Sequence, residues 1–260
     1  MKKKIFISVL SGIILLLVAF GFLLKGLGKF DLKIESRASL GIAVVELFTS
    51  EGCSSCPSAD QLLSDLKNQN NPQIFLLAFH VDYWNYLGWK DPFSDAKYSA
   101  RQSEYASTLY YDVYTPQMIV NGKKVFVGSN HSEANDAIKD ALNHPASLQI
   151  KFESDYNKQR KTLAVKYALD GDLKDQVLNI ALIENDATNN VSRGENSGKT
   201  LHHVNVVRNF KSVPLSNTSG EVSVHLPDDL APKNTSLILY SQNEKTKEVT
   251  GAAVGIVSEL

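Results

Sequence analysis

The chain has 260 residues, 43% of them hydrophobic, with 27 basic side chains against 28 acidic ones and a formal net charge of -1. So even a balance gives nucleic acid or an anionic membrane surface no electrostatic hold, and neither is expected as the main partner. The length suits one large domain or two small ones and buries a sizeable core without disulfide staples.

In chain order, "MKKK" comes first, followed by "IFISVLSGIILLLVAFGFLL", residues 5–24, without one charge. As a helix twenty residues span about 30 Å, the thickness of a bilayer's hydrocarbon core. A secretory signal peptide has a shorter apolar centre and a small-residue cleavage site, and no convincing one follows here. Residues 1–25 are therefore predicted to be a signal anchor, one transmembrane helix in the inner membrane, rather than a cleaved signal peptide. Lys2, Lys3 and Lys4 on one side nearly balance Lys25, Lys29, Lys33 and Arg37 on the other. A short tail before a large C-terminal part is the layout of an exported protein. The rest is therefore expected on the periplasmic side of the cell envelope, anchored or secreted.

Residues 26–40 read as a polar tether. "GIAVVELF" is an apolar run of strand length and leads into "ELFTSEGCSSCPSAD", which holds both cysteines of the chain, Cys53 and Cys56. "PSADQLLSDLKNQN" then spaces Ala59, Leu62, Leu63 and Leu66 as a helix does, and "IFLLAFHV" reads as a second buried strand. Strand, cysteine loop, helix and strand in close succession make a βαβ unit with parallel strands. An aromatic loop, "DYWNYLGWKDPFSD", follows, then a helix over "AKYSARQSEYASTL". "YTPQMIVNGKKVFVG" predicts a hairpin turning at Asn121-Gly122, and "SEANDAIKDALNH" a helix that Pro145 ends. Beyond it, seven short alternating runs without a strong helix predict an antiparallel β-sandwich over residues 147–260, behind a first domain over residues 41–146.

Two thiols at C-x-x-C leave three readings: a redox pair, part of a metal site, or a staple. The staple is the weakest, because closing so small a ring is worth roughly 2 kcal/mol against about 3 for a 15-residue ring. His80 and Asp82 end the second strand, and imidazole with soft thiolates suits copper or zinc. Two thiols and His80 fall short of zinc's four ligands, and a histidine hydrogen-bonded at a strand end is the simpler reading. No metal and no cofactor are expected. Tyr83, Trp84, Tyr86, Trp89 and Phe93 read either as a hydrophobic lip for a peptide substrate or as a cap on the core. In "RGENSGKTLHHVNVVR", neighbouring His202 and His203 point to opposite sheet faces, and a buried His-Glu-Arg network joining the two halves is expected.

The C-x-x-C between a strand and a helix, with Thr115-Pro116 heading a later hairpin, resembles the thioredoxin superfamily. More narrowly, "ELFTSEGCSSCPSAD", "AFHVDYWNYLGWKDPF" and "YTPQMIVNG" are similar to a bacterial family of secreted thioredoxin-like proteins labelled as a domain of unknown function. The fold class this implies is α/β: a thioredoxin-like domain followed by an antiparallel β-sandwich domain, with one N-terminal transmembrane helix. The resemblance implies a thiol–disulfide oxidoreductase acting on protein thiols or disulfides. Cys53 would be the exposed nucleophile at the helix N-terminus and Cys56 the resolving thiol. Pro116 would be cis against the pair, and Thr115, Tyr83 and Trp84 would bind substrate. Glu51, two residues before Cys53, is expected to oppose its ionisation. A copper- or zinc-handling module using His80 and a non-catalytic binding module are the alternatives.

Overall fold

A computed structural model of the chain describes residues 40–257. The predicted anchor and nearly all of the tether lie outside the described residues. Among the described residues no helix is long and apolar enough to cross a membrane.

The apolar run becomes β1 (Ala43–Thr49), buried at every position because both faces of the sheet are covered. α1 (Pro57–Asn68) opens with Pro57 in its first turn, where a missing N–H costs nothing, and turns Leu62, Leu63 and Leu66 inward. β2 (Ile74–His80) runs parallel to β1, from Ala43 opposite Ile74 to Thr49 opposite His80. α2 (Ala96–Leu109) is capped by the Asp95 carboxylate, which accepts from the Lys97 N–H. β3 (Gln117–Val120) and β4 (Lys124–Val127) form the hairpin. Its turn has positive φ at Asn121 (49°) and Gly122 (66°), which suits an Asn-Gly pair. α3 (His131–Leu142) is capped by Asn130.

Beyond Pro145 come β5 (Gln149–Asn157), β6 (Thr162–Asp170), β7 (Gln176–Asn190), β8 (Thr200–Pro214), β9 (Ser219–His225), β10 (Thr235–Asn243) and β11 (Val249–Ile256). They do not form a sandwich of their own. Four of them continue the first-half sheet into one eight-stranded sheet, ordered β11-β10-β7-β8-β2-β1-β3-β4, and β5-β6-β9 make a separate three-stranded sheet. The expected fold class is corrected accordingly. A mostly β architecture, with one mixed sheet running through both halves, replaces an α/β thioredoxin-like domain followed by an antiparallel β-sandwich domain; the expected N-terminal transmembrane helix lies outside the described residues. The physical reason lies at the free edge of β2, whose unpaired backbone groups take β8 as a parallel neighbour instead of ending the sheet.

That joint is narrow and reinforced by side chains. Ala78 and Val206 are its one register pair. Asn205, at φ 51°, donates its side-chain N–H to the Leu76 carbonyl at 3.1 Å, and the Tyr98 hydroxyl donates to the Val207 carbonyl at 3.0 Å. The core has three parts. α1 and α3 cover one face through Leu62, Leu63, Leu66 and Ile138; the other face carries Phe48, Phe79, Tyr98 and Tyr105; and the three-stranded sheet packs Leu163 and Val165 with Leu178, Leu237 and Leu239.

One buried charge pair ties the halves together. Arg101 of α2 donates to both Glu46 oxygens, at 2.6 and 2.9 Å, and also to the Tyr240 hydroxyl at 2.8 Å and the Gln242 side-chain oxygen at 3.2 Å. Its guanidinium lies 4.7 Å from the Phe210 ring centre. Burial disfavours the charge on Arg101, but Glu46 outweighs it and keeps the group cationic.

Candidate functional site

Where β1 ends, the chain turns through Ser50 and Glu51 into the cysteine loop and enters α1. The Cys56 N–H donates to the Cys53 carbonyl at 3.2 Å, and the Cys56 carbonyl accepts from Ala59 and Asp60 at 2.9 and 3.0 Å. Cys56 is thus the N-cap, and Cys53 stands just outside the helix N-terminus, where unpaired N–H groups favour an anion. Both cysteines are free thiols.

Their chemistry is unequal. The Cys53 thiol is pulled down to about 6, chiefly by the hydrogen bond from Cys56. Burial opposes this, while Thr115 and the N–H groups of Ser55 and Cys56 add to it. Cys56 is pushed far up, first by burial and then by its bond to Cys53 and the charges of Cys53 and Asp60. Cys53 is thus the more acidic of the two, and Cys56 the one that keeps its proton. The Glu51 carboxylate accepts from the Trp89 indole N–H at 2.8 Å and the Asn189 amide at 2.9 Å.

Thr115-Pro116 closes one side of the pair. The peptide bond is cis, and the Thr115 carbonyl lies 3.8 Å from Cys53 Sγ. The Thr115 hydroxyl accepts from the Trp84 indole N–H at 2.7 Å. Cys53, Cys56, Thr115, Pro116 and Trp84 are thus brought together. Tyr83 lies a step further out and donates to Gln102 at 3.1 Å, and burial pushes its hydroxyl up to about 12. Of the five loop aromatics, Tyr86 alone is mostly exposed, at 79%.

Behind the cysteines sits a buried set of acids and imidazoles. His203 Nε2 is 3.3 Å from Glu51 Oε1, and its Nδ1 is 3.5 Å from Asp60 Oδ2. Burial disfavours the imidazolium, but Asp60 and Glu51 outweigh it and push His203 up to about 10. His80 Nδ1 is 2.7 Å from Asp91, whose carboxyl is held below its usual value: burial is outweighed by His80 and by the N–H groups of Glu51 and Phe93. His80 therefore faces Asp91, and among the described residues no three His, Cys, Asp or Glu side chains are placed to hold a metal ion. The expected His-Glu-Arg network is found only in part. His203 joins Glu51, whereas Arg208 pairs with Glu184 and Asp229.

The expected exposure of Cys53 is corrected: it is 1% exposed. The β7–β8 loop, residues 191–199, is hydrogen-bonded to the backbone of the cysteine loop. Asn196, itself buried, donates to the carbonyls of Glu51 and Cys53, each at 2.9 Å, and Glu195 accepts from the Ser54 N–H at 2.9 Å. Glu195 and Asn196 both lie in "RGENSGKTLHHVNVVR", and nothing local sets Asn196 apart from any other loop asparagine.

The family model described as a protein of unknown function (DUF1223) matches residues 44–242. The chain belongs to that family. Its fold is similar to the crystal structure of protein AGR_C_4864 from Agrobacterium tumefaciens, at 24% identity and a TM-score of 0.64, covering 87% of this chain and 98% of that one. It is also similar in fold to HBP35 of Porphyromonas gingivalis, at 15% identity and a TM-score of 0.63, covering 85% of this chain and 77% of that one. No match was found among curated proteins.

Proposed function

We propose that this family member is a thiol–disulfide oxidoreductase of the thioredoxin superfamily type, exchanging with protein thiols or disulfides through Cys53 and Cys56. The observation that carries the reading is the inequality of the two thiols: a Cys53 drawn down to about 6 beside a buried Cys56 that holds its proton. A nucleophile ionised at neutral pH and a resolving thiol held in reserve are what two-step exchange requires. The cis Thr115-Pro116 with its carbonyl toward Cys53 adds the neighbour the resemblance implies.

In the forward direction the Cys53 thiolate attacks one sulfur of a substrate disulfide, and the S–S bond breaks. One substrate sulfur leaves as a thiolate that takes a proton; the other stays bonded to Cys53. Cys56 then loses its proton and attacks Cys53 Sγ, expelling the second substrate thiolate. The substrate gains two electrons and the chain becomes a Cys53–Cys56 disulfide. The reverse sequence oxidises a dithiol, and the direction follows the potential of the pair against its partner's.

Lys2–Lys4 and the uncharged run at residues 5–24 support a place in the cell envelope, facing the periplasm, which cell fractionation tests.

The deciding experiment is the reduction potential of Cys53–Cys56 in glutathione buffers, with thiol labelling as readout. A value between about -120 and -270 mV with fast exchange supports the oxidoreductase. The burial of Cys53 favours a second reading, a binding module whose cysteines lock a loop. A value below about -300 mV with slow exchange would establish that reading and end the first.

A further inference from the structure

The eight-stranded sheet ends at β4, and among the described residues no strand pairs with its outer side. The bonding of the hairpin fixes which groups face that way. The Gly128 N–H donates to the Pro116 carbonyl at 2.9 Å, so in this antiparallel register Phe126 with Met118 and Lys124 with Val120 are the hydrogen-bonded pairs. The Asn121 N–H donates to the Val44 carbonyl at 2.9 Å, which turns the alternate residues of β3 toward β1, in agreement. The N–H and C=O of Val125 and the N–H of Val127 therefore point out along the free edge. The Val127 carbonyl is taken by the Asn130 N–H at 2.9 Å.

The two sides of this edge differ in chemistry. Phe126 is buried on the face that α1 and α3 cover, and Lys124, two residues away, stands on the same side. There α3 presents Glu133, Asp136 and Asp140, spaced three and four residues apart along one stripe, and a groove of about 410 Å³ lies between them and β4. Val125 packs against the opposite core, with Phe48 and Tyr105. Val127 shares that side and is 50% exposed. Tyr111, just past the end of α2 and 47% exposed, also lines the groove. One side is thus acidic, three carboxylates against one ammonium, and the other is apolar.

We propose that β4 is the docking edge for an extended segment of a partner protein in which basic and apolar residues alternate. Added to the sheet as a further strand, the segment bonds the outward groups of Val125 and Val127 through its backbone. Its side chains alternate between the two faces, which sets the basic ones over the α3 carboxylates and the apolar ones over Val125, Val127 and Tyr111. Proteins guard free edges with inward charges, prolines or bulges, and Val125, Phe126 and Val127 carry none of these. The proposal uses no thiol chemistry and stands or falls apart from the reading of Cys53.

The test titrates a fluorescein-labelled peptide, KVKVKVKVK, with the full chain and follows fluorescence anisotropy at about 50 mM and about 500 mM salt. Saturable binding, weaker at the higher salt, is expected, with hydrogen exchange slowed at residues 124–128 in the complex. Val125→Pro removes an outward N–H that the sheet does not use, at the kind of edge position where proline is tolerated. It should weaken binding at least about tenfold. Asp136→Lys, at an exposed position, should weaken it about fivefold at low salt and carries the test if Val125→Pro does not fold. The absence of saturable binding, or unchanged affinity in the folded variants, would overturn the proposal. So would equal binding of EVEVEVEVE, which shares the alternation but not the charge, or of KKKKKVVVV, which shares the composition but not the alternation. A dimer in sedimentation that Val125→Pro dissociates would assign the edge to a second copy of the chain and overturn the partner segment.

Discussion

Glu51 and His203 face each other at 3.3 Å in the interior, although 152 residues separate them in the chain. Glu51 precedes Cys53 by two positions, and this contact helps to fix where its carboxylate points. It also fixes the sign of a pH effect. With its folded value raised to about 10 from an ordinary 6.5, His203 contributes stability that is fully present below about pH 6.5 and is lost as pH rises through about 10. His203→Gln leaves Glu51 and Asp60 without their cation and should cost about 3–5 kcal/mol at pH 7. Urea unfolding at pH 7 and pH 10 checks this. The gap between wild type and variant should narrow at the higher pH, and a constant gap would mean that imidazolium charge is not what stabilises the site.

The ionisation of Cys53 is read from the pH dependence of its alkylation. The rate should rise with pH to a plateau with a midpoint about 6, well under the roughly 8.5 of a free cysteine. Because the bond from Cys56 is the largest cause, Cys56→Ala should move the midpoint up. A midpoint that stays in place in that variant would assign the effect to the helix terminus instead.

Glu46 and Arg101 form a buried pair at 2.6 Å that links the first strand to α2 and, through Tyr240 and Gln242, to β10. Arg101→Leu strands a buried carboxylate and should cost about 3–5 kcal/mol. The double variant Glu46→Leu with Arg101→Leu should cost less than Arg101→Leu alone, since no charge is then left unpaired. Denaturant midpoints at equal slope decide it. A double variant worse than the single would show that packing, not the stranded charge, dominates.

At the hairpin turn, a Cβ on Gly122 would stand 1.8 Å from the Lys247 carbonyl oxygen, at a φ of 66°. Gly122→Ala meets both the left-handed backbone penalty of about 1–2 kcal/mol and a backbone collision, so its loss of stability should exceed about 2 kcal/mol. A thermal midpoint within a degree or two of wild type would mean the β10–β11 turn yields freely.

Local structure was legible because local physics decides it. The unbroken "AVVELF" and "IFLLAFH" runs announced strands covered on both faces, the spacing of Leu62, Leu63 and Leu66 announced α1, and Asn121-Gly122 announced the turn. The seven C-terminal runs are all strands. What misled was their destination. Alternation says which face of a strand is buried, not which edge it offers, and so the pattern predicts two bodies where one sheet runs from β4 to β11.

The elements, the placing of Cys53 and Cys56 at a helix N-terminus and Thr115-Pro116 ahead of a hairpin are written into the chain locally. Each follows from residues close together in the chain. The joining of β8 to β2, the contact of His203 with Glu51 and the bonds from Asn196 to the Glu51 and Cys53 carbonyls arise only from long-range packing. Every strand edge carries the same backbone donors and acceptors, and a side chain more than 140 positions away leaves no trace in the local pattern. Burial of Cys53 is a property of the fold, set by segments far from it in the chain.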